Sequence, residues 1–213
     1  MTGDRRKFRR EGAETRRQAL VNATLALIAE QGVSGATVRA IAEKADVTQG
    51  LIRHYFSSKD ELVQAAYLAH MAGMTEQTFE GAAHAGSARS RLAALVVASV
   101  SPPVVDAAAV GLWAGFLGHV RRDTEMREVH ARTYHDFRDR LETLIVAALK
   151  EAGRGAQPTE ARRLAIACNA VIDGLWLEGG ALPEAFGPDE LIGIGLHAVG
   201  AIVGMDLEEG VTT

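Results

Sequence analysis

Thr37-Val38-Arg39-Ala40-Ile41-Ala42-Glu43-Lys44-Ala45-Asp46-Val47-Thr48-Gln49-Gly50-Leu51-Ile52-Arg53-His54-Tyr55-Phe56-Ser57-Ser58-Lys59-Asp60-Glu61-Leu62 is the run from which the fold of this 213-residue chain is read. Thr37 is placed to cap a short helix that buries Ile41, Ala42 and Ala45. Asp46 interrupts the pattern, and Thr48 caps a second short helix from Gly50 to Phe56, with Leu51, Ile52 and Tyr55 or Phe56 turned to the core. Two short helices joined by a tight turn make a helix-turn-helix. Ser58 followed three residues later by Glu61 is a capping box, and it opens a long helix carrying Leu62, Ala66, Ala69 and Met74 to about Phe79.

Outward from this run, apolar residues recur at steps of three and four nearly everywhere, without sustained period-two alternation, so the fold class is all-α with about nine helices. A first helix is predicted from Glu14 to Gln31, burying Leu20, Ala23, Leu27 and Ile28 and stopping at Gly32. After the loose stretch Gly81 to Ser87 come Arg89 to Val100, a break at Pro102-Pro103, and a helix from about Asp106 to Val120. Asp123 or Thr124 caps the next, with Val129, Phe137, Leu141, Leu144, Ile145 and Ala148, as far as Gly153. Pro158 opens another that ends at Gly179-Gly180, and a last one runs from Pro188 or Asp189 to Met205. No repeat and no Gly/Ser linker divides the chain. The expected domains are residues 1–64 and 65–213, meeting within the long helix.

The composition is that of an ordinary globular protein, 47% hydrophobic and 23% charged, which favours neither disorder nor a membrane class. The single cysteine, Cys168, permits no intrachain disulfide. The Arg-rich start lacks the apolar stretch of a secretory signal, and no run approaches the ~18 apolar residues of a spanning helix. The expected compartment is the cytoplasm, with no membrane partner. A net charge of −4 argues at first against nucleic acid. Residues 1–64, however, hold 11 Lys and Arg against 8 Asp and Glu, a net of +3, whereas residues 65–213 hold 12 against 19, a net of −7. A basic helical module can bind a polyanion whatever the rest of the chain carries.

In a helix-turn-helix the second helix enters the major groove and its first residues face base edges. Gln49 and Arg53 are the side chains with donors for adenine and guanine, and Gly50 lets the backbone approach closely. His54, Tyr55 and Lys59 follow where the helix leaves the groove and phosphates lie. An Arg-rich start alone is as readily a solvated tail; the helix-turn-helix behind it favours DNA.

The quoted run closely resembles the DNA-binding domain of TetR-type transcriptional regulators: the Thr cap, Ile-Ala, Ala-x-Val-Thr, the Gly, His-Tyr-Phe and Ser-Lys-x-x-Leu follow in the family's order and spacing. The resemblance covers the first quarter of the chain. It implies a homodimer on a palindromic operator and a divergent helical domain for a small-molecule effector. It also implies that Thr37, Thr48, Tyr55 and Lys59 touch DNA, mainly phosphate, with Gln49 and Arg53 as base readers. Two departures stand out. Asp46 occupies a turn position that is commonly Gly, and Arg53 replaces a more usual aromatic residue, so the operator sequence is not inherited.

In the second half, Trp113-Ala-Gly-Phe116 and Ile172-Asp173-Gly174-Leu175-Trp176-Leu177 are similar to the choline-responsive BetI-type subgroup. That similarity implies a repressor released by a quaternary ammonium ligand, for which Trp113, Phe116 and Trp176 would supply aromatic walls and Asp173 a counter-charge. Trp and Phe at this spacing on an apolar helix more often fill the core, and Asp173 can serve as a cap or pair with an Arg; the alternative is the same type of regulator sensing an unrelated hydrophobic small molecule. On the last helix Ile192, Leu196, Val199 and Val203 make a bulky stripe and Gly193, Gly200, Ala201 and Gly204 a flat one. A helix apolar on most of its circumference must be buried on several sides. Ile192, Leu196, Val199, Gly200 and Val203 are therefore expected at a dimer interface built from the last two helices of each subunit, the alternative being a central helix of a monomer.

An enzyme is not expected. His130 and His135 fall on different helix faces and read as surface histidines, no His-Glu-x-x-His or paired-Cys spacing suggests a metal, and Gly193-x-Gly195 lacks the third Gly of a dinucleotide loop. No Gly-x-Ser-x-Gly or phosphate loop is present, and no cofactor is expected. A helical scaffold without DNA binding is the remaining alternative, and it leaves the Thr48 to Arg53 face without a purpose.

Overall fold

The structure is a computed structural model that describes residues 2–211, with side chains from residue 12 to residue 209. The side chains of Arg5, Arg6, Lys7, Arg9 and Arg10 lie outside the described ones. Nine α-helices follow one another among the described residues: α1 (Thr2–Gly35), α2 (Val38–Lys44), α3 (Gln49–Tyr55), α4 (Lys59–Ala83), α5 (Ala88–Ser99), α6 (Ala107–Val120), α7 (Thr124–Glu151), α8 (Pro158–Ala181) and α9 (Glu190–Val203). Each differs from its predicted span by a few residues at most, apart from α1, which starts earlier. The 3₁₀ turns Pro183–Ala185 and Glu208–Val211 complete the chain.

Helix ends are set by the residues that the sequence marks. Gly32 interrupts α1 at φ 71°, a left-handed conformation that glycine adopts without steric cost. Asp46 makes the turn between α2 and α3 at φ 51°, a strained conformation that the short polar side chain of Asp tolerates. Asp123 caps α7, its Oδ1 accepting from the backbone N of Glu125 at 2.9 Å.

The described residues form two compact units. One holds the chain up to Met71 together with Gly111–His130; the other holds Ala72–Val110 and the chain from Ala131 onward. In the first unit Leu20, Leu27, Ile28, Val33, Ile41, Ile52, Phe56, Leu62 and Tyr67 share one apolar core with Phe116, Met126 and Val129. Phe116 is fully enclosed and meets Tyr67 edge-on, ring centroids 4.9 Å apart. Tyr67 in turn hydrogen-bonds through its hydroxyl to Nδ1 of His130 at 2.6 Å. His130, expected on the surface, is therefore a half-buried partner of a core tyrosine, whereas His135 is exposed.

In the second unit Leu92, Leu95 and Val96 of α5 pack with Leu141 and Ile145 of α7, Cys168 and Ile172 of α8, and Leu196, Val199 and Val203 of α9. Close approach is built in with glycine. A Cβ on Gly179 would meet Leu191 Cδ1 at 2.5 Å, and one on Gly195 would meet Val96 Cγ1 at 3.0 Å. Of the Gly193-x-Gly195 pair, Gly195 is thus a packing position, whereas Gly193 is exposed and a Cβ there would meet nothing within 4 Å. By length and composition α8 is apolar enough to cross a membrane, contrary to the expectation that no run comes close. Its Ala161, Ala165, Cys168, Ile172 and Trp176 are buried within the protein. Burial pushes the Cys168 thiol up to about 12, so it is an inert packing group.

The residues predicted to face a partner chain face inward. Leu196, Val199 and Val203 are at most 4% exposed in the core of their own chain, Gly200 is buried and Ile192 half-buried. The side of α9 left open carries Ile194, His197 and Ala201, and α8 leaves open Ile166, Ala170, Gly174 and Leu177. Both faces of α9 are apolar, so periodicity alone could not decide which one the protomer claims.

Candidate nucleic-acid interface and effector residues

The two threonine caps hold the helix-turn-helix. Thr37 Oγ1 accepts from the backbone N of Ala40 and Thr48 Oγ1 from that of Leu51, both at 3.2 Å. Each hydroxyl spends a lone pair on its helix and keeps its O–H as a donor directed by free rotation, which suits a phosphate oxygen. Ile52 and Phe56, each 2% exposed, fix α3 to the core. The opposite side of α3 presents Gln49, Gly50, Arg53 and His54 to solvent. Tyr55 is half-buried, its ring edge-on to His54 at 5.1 Å between centroids.

Charge is distributed unevenly over this face. Arg39 pairs with Glu43 at 2.9 Å and Lys44 with Glu30 at 2.6 Å. Arg53, by contrast, has no ion pair or hydrogen bond to another described residue, so its fork of donors is available to an outside acceptor. Around Gly50 the chain leaves open space: a Cβ there would meet only Thr48 Oγ1, at an ordinary 3.7 Å. Nothing inside the protomer requires glycine at that place, which fits a demand from outside.

Lys59 is half-buried, and its Nζ donates to the carbonyl oxygen of Val33 at 3.2 Å. It is thus tied to the end of α1 as well as placed near the exit of α3. The capping box has a shifted form. Ser58 Oγ accepts from the backbone N of Glu61 at 3.0 Å, while the Glu61 carboxylate takes both the backbone N and the hydroxyl of Ser57, at 2.6 and 2.7 Å. Those bonds hold the Glu61 carboxyl below its usual range. Arg17 lies 5.0 Å over the ring of Phe56 and adds its positive charge to the same corner.

The four residues suggested for an effector site divide between the units. Trp113 and Phe116 belong to the first, Asp173 and Trp176 to the second. Phe116 is spent on Tyr67. Trp176 is 6% exposed, and its indole Nε1 donates to the carbonyl oxygen of Val104 at 2.8 Å. Trp113 is half-buried. Asp173 is mostly buried and accepts from Asn169 Nδ2 at 2.7 Å. Desolvation pushes its carboxyl up to about 6, against the opposing pull of Asn169 and of Arg138. Arg138 and Asn169 were not anticipated from the sequence. Their only signal there is phase, since each stands four residues from a partner, Tyr134 and Asp173, on one helix face.

Comparison with known proteins agrees with this layout. Residues 20–66 match the model of bacterial regulatory proteins of the tetR family, and residues 88–204 match that of the BetI-type transcriptional repressor C-terminal region. The HTH-type transcriptional regulator BetI of Burkholderia thailandensis is 33% identical over 167 residues, 78% of this chain and 82% of that protein. BetI of Paraburkholderia phymatum is 31% identical over 81% of this chain and 85% of that protein. A transcriptional regulator of Pseudomonas aeruginosa PAO1 superposes with a TM-score of 0.80 at 33% identity, over 92% of this chain and 94% of the other. The regulator FadR of Bacillus subtilis, solved with stearoyl-CoA, shares the fold with a TM-score of 0.68 at 18% identity, over 87% of this chain and 97% of the other.

Proposed function

The chain belongs to the tetR family of bacterial regulatory proteins, in its BetI-type branch, and we propose that it is a cytoplasmic homodimeric repressor released from a palindromic operator by a small molecule. The family is one of DNA-binding regulators and not of enzymes. The observation that carries the proposal is the open face of α3: Gln49, Gly50 and Arg53 are exposed, and Arg53 has no ion pair or hydrogen bond to another described residue. Gln49 and Arg53 read base edges, while Thr37, Thr48, His54, Tyr55 and Lys59 secure phosphates. Residues 1–64 form the reading domain and residues 65–213 the sensing and dimerising one.

Dimerisation uses the open sides of α8 and α9, where Ile166, Leu177 and Ile194 are 38%, 39% and 42% exposed. Ala170, Gly174 and Ala201 between them let two helix pairs approach closely. An isologous contact of this kind sets the two α3 helices about one DNA turn apart, roughly 34 Å. Effector binding favours a second spacing of the reading domains, with α4 running through both units as the connecting element.

For the effector the reading is a small cation of the quaternary ammonium class, choline being the first compound to test. The BetI-type match over residues 88–204 and the buried carboxyl of Asp173 support it. Commitment of Phe116 and Trp176 to the core favours a second reading, an unrelated hydrophobic effector. The deciding experiment is a mobility shift on the promoter beside the protein's own gene, at several salt concentrations and with and without choline. Specific binding that weakens steeply with salt supports the regulator; binding no tighter than to random DNA overturns it.

A further inference from the structure

The turn between α6 and α7 lies far beyond residue 64 in the chain, yet it belongs to the same compact unit as the helix-turn-helix. Its flanks are anchored. Phe116 and Val120 on the α6 side and Met126 and Val129 on the α7 side are buried in the core that holds Ile52, Leu62 and Tyr67. The turn itself is closed by its backbone, the N–H groups of Arg122 and Asp123 both donating to the carbonyl oxygen of His119, at 3.0 and 2.9 Å. Gln64 of α4 clamps it from the side, with Nε2 donating to Asp123 Oδ2 at 3.4 Å and to Glu125 Oε2 at 3.2 Å. Gln64 stands five residues after Lys59, a rise of about 7.5 Å along the helix.

On this clamped turn Arg121 and Arg122 are both exposed. Neither guanidinium has an ion pair or hydrogen bond to another described residue. Carboxylates are at hand, since Asp123 is the next residue and Glu125 follows two later. Both, however, are turned to Gln64, and Asp123 Oδ1 also accepts from the backbone N of Glu125 and of Met126, at 2.9 and 3.3 Å. Two adjacent positive charges are thereby left without a counter-charge on a rigid mount. Like charges so placed repel each other, and a polyanion relieves that repulsion. Duplex DNA carries one negative charge per about 1.7 Å of its axis. Over the short span from Lys59 along α4 to this turn, one duplex therefore offers several phosphates.

We propose that Arg121 and Arg122 form a second DNA-backbone contact outside the helix-turn-helix, taking phosphates that α3 and Lys59 leave free. The proposal rests on the operator-binding reading above and adds a site to it. Such a contact carries no base preference and sets affinity and salt dependence instead.

The test is fluorescence anisotropy of the full-length protein on two duplexes of equal length, the promoter beside its own gene and a random sequence, across a range of salt. In a dimer the two arginines make four phosphate contacts, each worth about 0.9 in the slope of log affinity against log salt. Replacing both, Arg121→Gln with Arg122→Gln, should lower that slope by about 3–4. The affinity lost from about 50 to about 200 mM salt then becomes on the order of 100-fold smaller, while the ratio of promoter to random affinity stays within twofold. Arg122→Gln alone should take about half of the slope change, and the pair Arg121→Lys with Arg122→Lys should keep the wild-type slope. Arg91→Gln with Lys150→Gln removes the same charge from exposed positions of the other unit and should leave the slope unchanged. A slope that survives the glutamine pair, or an equal fall in the Arg91 and Lys150 control, overturns the assignment and leaves the regulator reading standing. Wild-type protein that binds the promoter no tighter than random DNA overturns the regulator reading, and this site with it.

Discussion

Nζ of Lys59 donates a 3.2 Å hydrogen bond to the carbonyl oxygen of Val33, so a residue proposed to meet phosphate also ties down the end of α1. The two roles predict a double effect. Lys59→Ala should cost about 1 kcal/mol of folding stability through the lost charged donor and weaken operator and random DNA by similar factors. Urea denaturation and fluorescence anisotropy read these separately. A variant with unaltered stability would show that the bond to Val33 contributes nothing.

Arg53 is exposed on α3 and has no partner among the described residues. Arg53→Ala should relax the operator preference at one base pair per half-site, by about 1–3 kcal/mol, while binding to random DNA changes little. A panel of single-base operator variants measures it; equal losses on every sequence would make Arg53 a phosphate contact instead.

Gly50 sits in a helix with open space where a Cβ would go. Gly50→Ala should therefore raise folding stability, by roughly 0.5–1 kcal/mol, and at the same time lower operator affinity by crowding the DNA. The opposite signs are the signature. A variant that gains stability and binds unchanged would mean that DNA does not approach this backbone.

Ile194 and Leu196 stand two residues apart on α9 and face opposite ways, 42% and 4% exposed. Ile194→Lys should give a monomer of native helix content, whereas Leu196→Ala should cost about 2–5 kcal/mol of folding stability through a core cavity. Sedimentation velocity and thermal unfolding distinguish them. A dimeric Ile194→Lys protein would place the subunit contact elsewhere.

Burial raises the Asp173 carboxyl from 3.8 to about 6 in the folded chain. The folded state thus holds this proton more tightly than the unfolded one. The resulting stabilisation is full below about pH 4 and is lost as pH rises through about 6. Asp173→Asn is neutral throughout, so it should match the wild type near pH 4 and exceed it at pH 7.5, by on the order of 1–2 kcal/mol. Urea denaturation at the two pH values checks this; a constant difference would mean that Asp173 is not desolvated.

The helices and the reading face were written locally. Thr37 and Thr48 cap within three residues, Gly32 and Asp46 turn the chain through their own backbone freedom, and apolar spacing marks Ile41, Ile52 and Phe56 for the core. Each of these signals acts between residues close in sequence, and such signals survive in a linear reading. The second half was less readable because its deciding contacts are distant in sequence. Trp176 spends its indole N–H on Val104, 72 positions away, and nothing around either residue announces that bond. Tyr67 likewise engages His130 across 63 positions.

By itself, then, the sequence determined an all-helical chain with a helix-turn-helix near its start and the polar face proposed to read DNA. Tertiary structure decided which side of α9 the protomer keeps and which it leaves open. Both sides are apolar, and a period of 3.6 residues has no means of ranking them. The ranking comes from fit: Gly195 meets Val96, and a Cβ on Gly200 would strike the carbonyl oxygen of Met205 at 2.6 Å. That close approach turns Leu196, Val199 and Val203 inward and leaves Ile194 outside.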